Sequence, residues 1–264
     1  MQINLEGKKI VITGASSGIG EKLARTIAAN GGTPIMLARS LDKLRQLQEQ
    51  IKEETDIIAY YYKVDLTNDS EMDEVIEKVF RDHEIIDALV NNAGSGVFQY
   101  VGETRWEDIE VMFRLNVLAL IRMTKLFLPH FLERKEGHIV NIASQAGKIS
   151  TPKSAVYAST KHAVLGFTNA LRQEVTSENI FVTAVNLGPV RTNFFSLADP
   201  EGNYQKSVDR YMLDPDKVAS KITKNLFTSR REINLPMWMD LGSRFYQLFP
   251  SLMERALKKQ FTKK

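Results

Sequence analysis

Residues 9–30 read KIVITGASSGIGEKLARTIAAN. Lys9–Thr13 is a β-branched run, glycine and serine interrupt it, and a helical pattern follows to about Asn30. The same alternation continues along the chain. Apolar runs at 33–38, 57–64, 88–91, 138–142, 181–186 and 232–235 are separated by helical patterns at 41–52, 70–80, 106–132, 154–176 and 214–228. Strands that read as solid apolar, each followed by a helix, imply a parallel sheet covered on both faces. No internal repeat, low-complexity tract or composition break marks a second domain.

The composition narrows the function classes. Of 264 residues, 43% are hydrophobic and 25% charged, the proportions of an ordinary globule. The absence of cysteine excludes disulfide frameworks, thiolate nucleophiles and cysteine-ligated metals, and it fits a reducing compartment. The net charge of +3 is spread through most of the sequence, so no nucleic-acid partner is expected. His83, His130, His138 and His162 show no HExxH or paired spacing, so no metal is expected. No run approaches the roughly 18 apolar residues of a membrane span, and the N-terminus lacks the apolar core of a secretory signal. The expected location is the cytoplasm.

In parallel sheets of this kind, ligands bind beyond the carboxyl ends of the strands. The candidate site therefore draws on residues 13–20, 38–40, 65–66, 91–94, 144 and 186–193. Gly14, Gly18 and Gly20 allow a tight turn, close approach of backbone N–H groups to a pyrophosphate, and close packing of helix on strand. Ser16 and Ser17 are spare donors, and Ile19 lies in the first turn of a helix whose N-terminus favours anions.

The spacing Gly14-x3-Gly18-x-Gly20 resembles the TGxxxGxG motif of the short-chain dehydrogenase/reductase family. The resemblance extends over nearly the whole chain, through Asp65 in VDLT, Asn91-Asn92-Ala93-Gly94, Asn116 in RLNVL, Ser144 in NIASQAG, Tyr157-x3-Lys161 and Gly188-Pro189-Val190-Arg191-Thr192. Order and spacing match the compact classical subgroup of roughly 250 residues. The implied fold is a doubly wound (Rossmann) α/β domain, a seven-stranded parallel sheet with helices on both faces. Residues 1–239 would form the catalytic domain, with a substrate lid at about 190–214, and 240–264 a helical tail.

A carboxylate at the end of the second strand would hold the ribose hydroxyls of NAD. This strand ends Leu37-Ala38-Arg39-Ser40 instead. Arg39 can pair with a 2′-phosphate and Ser40 can donate beside it, so the expected cofactor is NADP(H). By resemblance, Asp65 holds the adenine amino group with Leu66 beside it, Asn91, Ala93 and Gly94 form the turn next to the adenosine ribose, and Gly188, Val190 and Thr192 face the nicotinamide. The family usually writes Pro-Gly after the sixth strand, whereas this chain has Leu187-Gly188-Pro189, so that loop is expected to be placed slightly differently.

Tyr157 and Lys161 are four residues apart and share a helix face. A phenol with a pKa of about 10 exchanges protons poorly at neutral pH. An adjacent ammonium, together with the positive charge of oxidised nicotinamide, favours the phenolate. Tyr157 is thus the expected proton donor to a carbonyl oxygen, with Lys161 as its electrostatic tuner and Ser144 as the hydrogen-bond partner of that oxygen. By resemblance, Lys161 also holds the nicotinamide ribose, and Asn116 holds a water joining Lys161 to solvent. The leading reading is an NADPH-dependent reductase of a ketone or aldehyde, reversible as an alcohol dehydrogenase. Its rival is an interaction protein that senses NADP(H) without turnover.

Phe194, Phe195, Tyr204, Tyr211 and Met212 suit either a lid over an apolar substrate or a packed surface loop, and both readings stay open. The helix pattern at 106–132 is apolar around most of its circumference, and the family resemblance implies a homodimer or homotetramer built on it and on the Tyr157 helix. In the tail, Leu241, Phe245, Leu248, Phe249 and Leu252 follow helical spacing, with Pro250 restarting the helix. Lysines crowd its end. Two readings stay open for the tail: peripheral contact with a membrane surface, and docking on its own domain or across a dimer, the second being favoured.

Overall fold

The computed structural model describes residues 3–199 and 202–261. Pro200 and Glu201 of the expected lid, and the last three residues of the 240–264 tail, lie outside the described residues. Ile10, Val11 and Ile12 are fully buried, covered from both sides, and they form strand β1, Lys9–Thr13. Then follow α1 (Gly18–Ala28), β2 (Thr33–Ala38), α2 (Leu41–Thr55), β3 (Tyr60–Lys63), α3 (Asp69–Asp82) and β4 (Ala88–Asn91). The second half runs through α4 (Trp106–Phe113), α5 (Ala119–Arg134), β5 (Gly137–Ile142), α6 (Ala155–Glu174) and β6 (Ile180–Leu187). It ends with α7 (Phe194–Ala198), α8 (Asn203–Val208), α9 (Pro215–Thr223), β7 (Glu232–Leu235), α10 (Met237–Leu248) and α11 (Pro250–Phe261).

The seven strands form one parallel sheet in the order β3-β2-β1-β4-β5-β6-β7. The order reverses between β1 and β4, so the loops leaving these two strands diverge and open a crevice. Two apolar cores cover the faces. One packs Leu23 and Ile27 of α1, Leu44 of α2 and Ile222 of α9 on the sheet. The other packs Met72 and Ile76 of α3 with Phe127 and Phe131 of α5 and Leu171 of α6.

Three elements differ from the sequence reading. The third strand is shorter than 57–64. Ile35 pairs with Tyr60, so one step back would set Ala59 against Pro34, which has no N–H to give. The helix read as continuous over 106–132 contains a π-helical turn, Arg114–Leu118, centred on Asn116. The ninth helix stops at Thr223 rather than at 228; its start is held by Asp214, whose carboxylate accepts from the N–H groups of Asp216 and Lys217.

The tail forms two helices, and Pro250 opens the second, where its fixed φ suits a first turn. Its apolar stripe does not dock on its own domain. Leu241, Phe245, Leu248, Phe249 and Leu252 are each more than half exposed. The other side of α10 faces inward, and Trp238, Met239, Gly242 and Tyr246 line the central cleft.

The glycine at position 20 explains how closely α1 approaches β1. A Cβ there would lie 2.4 Å from the Gly14 carbonyl oxygen and 2.6 Å from Asn92 Nδ2. Gly20→Ala should therefore destabilise the fold by roughly 1–3 kcal/mol, the range for overpacking a tight site. The check is urea denaturation, where the midpoint should fall with the slope unchanged. An unaltered midpoint would mean that helix and strand separate easily.

Candidate active site

Thr13, the last residue of β1, ties the glycine loop to the loop after β4. Its Oγ1 accepts from the N–H groups of Asn92 (2.9 Å) and Ala93 (3.0 Å), and Asn92 Nδ2 donates to the Thr13 carbonyl at 2.9 Å. Gly14 (φ +67°) and Gly18 (φ +58°) adopt the left-handed region, where a side chain would be strained. No side chain caps α1, so its N-terminal N–H groups remain for an anionic ligand. Gly14, Ser16, Ser17, Gly18 and Ile19 line one end of a cleft of about 1280 Å³. Gly20 lies behind the loop and outside that lining, and its role is packing.

Next along the cleft come Arg39, Ser40, Asp65 and Leu66. Burial pushes the Asp65 carboxyl up, but hydrogen bonds from the Thr67 N–H and hydroxyl and the nearby Arg39 charge bring it below its ordinary value. Lys43, on the first turn of α2 and exposed, also lines this end. Sequence reasoning missed it; the signal was a lysine in the first turn of the helix that follows Arg39, close to the end of β2. Two cations beside the end of β2, with no acid on that strand end itself, fit a 2′-phosphate and oppose a bare ribose diol. The cleft as a whole fits an extended dinucleotide: its phosphate turn, its adenosine end and the Tyr157 region are continuous.

The reacting end gathers four elements. Asn116, buried in the π turn, accepts from the Ser95 N–H (2.8 Å) and donates to the Ser95 carbonyl (2.8 Å) and to Thr160 Oγ1 (3.0 Å). Thus it fastens the loop after β4 to α6. It does not itself line the cleft, and neither does Asn91, whose Nδ2 donates to Thr124 Oγ1 on α5 and to Asn141 Oδ1 on the neighbouring strand β5. Ala93 and Gly94 do line it. Lys161 on α6 is buried, donates to the Ile142 carbonyl at 2.9 Å and lies 5.8 Å from the centre of the Tyr157 ring. Ser144 leads the 3₁₀ turn Gln145–Gly147, its hydroxyl oxygen accepting from the Ala146 N–H at 3.0 Å.

The electrostatics qualify the sequence reading. Enclosure of its hydroxyl pushes the Tyr157 phenol above its ordinary value; the hydrogen bond with Ser144 acts in the opposite direction, and Tyr204 adds to the rise. Burial also lowers the Lys161 ammonium to about 8. In the chain alone, desolvation therefore outweighs any help from the amine, and a lower phenol pKa needs a positive charge brought into the cleft with a ligand.

Beyond Tyr157 the cleft is aromatic. Phe98 stacks on Tyr204 (4.4 Å between centres, 2° between planes) and packs on Tyr157 at 5.4 Å, while Phe194 contacts Tyr157 at 5.9 Å. Gly96 makes room, since a Cβ there would come 2.7 Å from the Phe194 ring. Phe98 and Gly96 were missed because nothing local in SGVF tells a cleft wall from a surface loop. The segment between β6 and α9 leaves and re-enters at one point: Val190 bridges Leu213, with Arg191 N–H to the Leu213 carbonyl at 2.9 Å and Leu213 N–H to the Pro189 carbonyl at 2.8 Å. Gly188, Val190 and Thr192 line the cleft. The altered Leu187-Gly188-Pro189 loop is held from behind, Gly188 donating its N–H to the Leu235 carbonyl at 2.7 Å.

A family model described as short chain dehydrogenase matches residues 8–201. The NADP-dependent 3-hydroxy acid dehydrogenase of Schizosaccharomyces pombe is 34% identical over 237 residues, 88% of this chain and 90% of its own length. Among solved structures, a short-chain dehydrogenase from Sphingobium yanoikuyae in complex with NADPH is 26% identical, with a TM-score of 0.78 over 92% of this chain and 96% of that one. L-Sorbose reductase from Gluconobacter frateurii, complexed with NADPH and L-sorbose, is 26% identical, with a TM-score of 0.79 over 89% of this chain and 97% of that one.

The lowered Lys161 value makes a stability prediction. Unfolded, its amine has the ordinary value of 10.5; folded, about 8. Below about 8 the folded state carries the full cost of a buried ammonium, and that cost disappears as pH rises through the window. Measured by urea unfolding without ligand, wild type should gain about 2–3 kcal/mol on a Lys161→Met variant between pH 8 and 10. A difference that stays flat would refute the assignment.

Proposed function

The chain belongs to the short-chain dehydrogenase family, and we propose that it interconverts a neutral, apolar carbonyl and its alcohol with NADP(H), using Tyr157 as the proton donor and acceptor. It is an oxidoreductase acting on CH–OH and C=O groups. The solved relatives that carry NADPH support the cofactor, as do Arg39 and Lys43 at the end of β2. The dinucleotide, when bound, supplies or accepts the hydride and, when oxidised, adds a positive charge near Lys161.

In reduction, the Ser144 hydroxyl holds the substrate oxygen while Tyr157 Oη gives that oxygen its proton, as hydride reaches the carbon. The Ser144 and Tyr157 hydroxyls already hydrogen-bond one another, so one substrate oxygen can meet both, and this is the observation that carries the reading. Lys161 favours the resulting phenolate and holds ribose hydroxyls. Gly94 keeps the space between Asn116 and Lys161 open, for a Cβ there would lie 3.2 Å from Asn116 Oδ1 and 3.8 Å from Lys161 Nζ. A water held there would return protons to Lys161 from solvent. Gly14, Ser16, Ser17, Gly18 and Ile19 hold the pyrophosphate, Asp65 and Leu66 the adenine, Ala93 and Gly94 the adjacent ribose, and Gly188, Val190 and Thr192 the nicotinamide.

The substrate class follows from charge. The charged residues lining the cleft are Arg39, Lys43 and Asp65 at the adenosine end and Lys161 behind Tyr157, among the described residues. The aromatic arm beyond Tyr157 offers no cation for a carboxylate, which separates this chain from the hydroxy acid named for the yeast relative. The intact Ser144, Tyr157 and Lys161 group disfavours a sensor without turnover. We also read 1–239 as the catalytic domain, a cytoplasmic setting from the cysteine-free sequence, and α4–α5 as the contact of a homodimer or homotetramer, since Trp106, Val111 and Leu118 are exposed there. The outward stripe of the tail suits either a second copy or a membrane surface.

NADPH oxidation, followed at its absorbance band against ketones and aldehydes, tests the chemistry. Tyr157→Phe should lose at least about 100-fold in kcat/KM, the lower range for general acid catalysis. Equal turnover by wild type and variant would end the proposal. Arg39→Asp should weaken NADPH and improve NADH use; an unchanged preference contradicts the 2′-phosphate assignment. Light scattering should give a multiple of the chain mass, and deleting 240–264 should show whether vesicle binding or self-association is lost.

A further inference from the structure

Helix α10 forms a wall of the cleft, and apolar packing holds it there at few points, Met239 against Gly188 and Trp238 against Tyr211. Its buried side chains are Asp240 and Ser243, both polar, while Met237 is 81% and Leu248 71% exposed. An amphipathic helix ordinarily buries its apolar stripe. Here the stripe points outward and the inward face is fastened by charge.

The fastening point is Lys148. Its Nζ donates to Asp240 Oδ1 on α10 at 2.8 Å, to Glu232 Oε2 on β7 at 2.7 Å and to Asn234 Oδ1 at 3.0 Å. Arg244 completes the group, pairing with the second Asp240 oxygen at 2.9 Å, so two cations meet two carboxylates. The Lys148 and Asp240 side chains are only 11% and 12% exposed, so screening by solvent is weak. Burial pushes the Glu232 carboxyl up, but the hydrogen bond and charge of Lys148 hold it below its ordinary value. At its other end, Lys148 closes the 3₁₀ turn that begins after Ser144. That turn is seated on α6 independently, because Gly147 lies so close that a Cβ would be 2.7 Å from the Lys161 carbonyl oxygen.

We propose that Lys148 is a positioning residue that fastens α10 to the Ser144 turn and so sets how long a carbonyl substrate the cleft accepts. This rests on the carbonyl-reductase reading above. A short aldehyde hydrogen-bonded to Ser144 and Tyr157 occupies the space between Phe98 and Phe194. A long one extends to Trp238 and Tyr246, and its binding depends on where α10 stands. Removing the ammonium leaves the largely buried Glu232 and Asp240 carboxylates facing one another with only the exposed Arg244 on Asp240, which drives α10 away from β7. The seat of Gly147 on α6 keeps Ser144 in place.

The test compares butanal with dodecanal, and adds hydrogen exchange of the ligand-free protein over 237–248. Lys148→Met and Asp240→Asn should each raise KM for dodecanal about tenfold, a typical consequence of about 1.4 kcal/mol of lost positioning. Both should leave butanal kinetics within about twofold and speed exchange in α10 at least about tenfold. Lys148→Arg should restore the wild-type chain-length profile, and the double variant should be no worse than Lys148→Met alone. Asp240→Asn preserves shape and keeps the Lys148–Glu232 pair, so it serves where Lys148→Met fails to fold. Equal losses on both aldehydes, or unaltered exchange in α10, would overturn the proposal. Wild type that reduces neither aldehyde nor any ketone of the panel above would instead defeat the carbonyl-reductase reading, and the exchange measurement would still decide whether Lys148 fastens α10.

Discussion

Two backbone N–H groups, those of Asn92 and Ala93, converge on the hydroxyl of Thr13, and much of the cleft depends on that convergence. A doubly wound sheet must send the chain in opposite directions from its two central strands, which would leave the crevice as two unrelated loops. The Thr13 hydroxyl joins them, and the Asn92 side chain reaches back to the Thr13 carbonyl. The glycine turn thus gains a rigid opposite bank. Gly14 then passes so close to Ala93 that a Cβ would lie 2.9 Å from its Cα. The phosphate end and the reacting end are held by one small knot of hydrogen bonds.

From that knot the loop after β4 runs on to Ser95, where Asn116 takes it up. The π turn in the middle of the long helix has a physical purpose: it turns Asn116 inward to bond Ser95 and Thr160 together. Thr160 in turn donates to the Tyr157 carbonyl at 2.8 Å. Tyr157 and Lys161 therefore stand in a frame whose polar atoms are largely committed, and both bear the cost of burial. A phenol and an amine destabilised in this way respond strongly to a charge placed beside them, because the surroundings screen little.

Much of this was legible in the sequence. The seven strands followed from apolar runs, and the glycine loop, Ser144, Tyr157 and Lys161 from their spacing, since each is a local signal repeated in a definite order. The sequence reading put Asn116 among the catalytic residues and Asn91 and Gly20 among those that bind the cofactor; the structure has them hold the frame of the cleft rather than line it. The features that escaped are those made by residues far apart in the chain. Lys148 meets Glu232 and Asp240 across more than eighty positions. Met239 packs against Gly188, and α10 turns out to be a cleft wall although its sequence reads as an amphipathic tail. The shortening of β3 depends on Pro34 in the neighbouring strand, which no inspection of residues 57–64 alone reveals.

The backbone bridge between Val190 and Leu213 has a consequence for how such a protein can diversify. Because the segment departs and returns through a single pinned neck, its contour can lengthen or shorten with little entropic penalty and without disturbing β6. Insertions, deletions and wholesale exchange are absorbed outside the sheet. Changes in that segment leave the glycine turn and the end of β2 untouched, so the two ends of the cleft can drift independently.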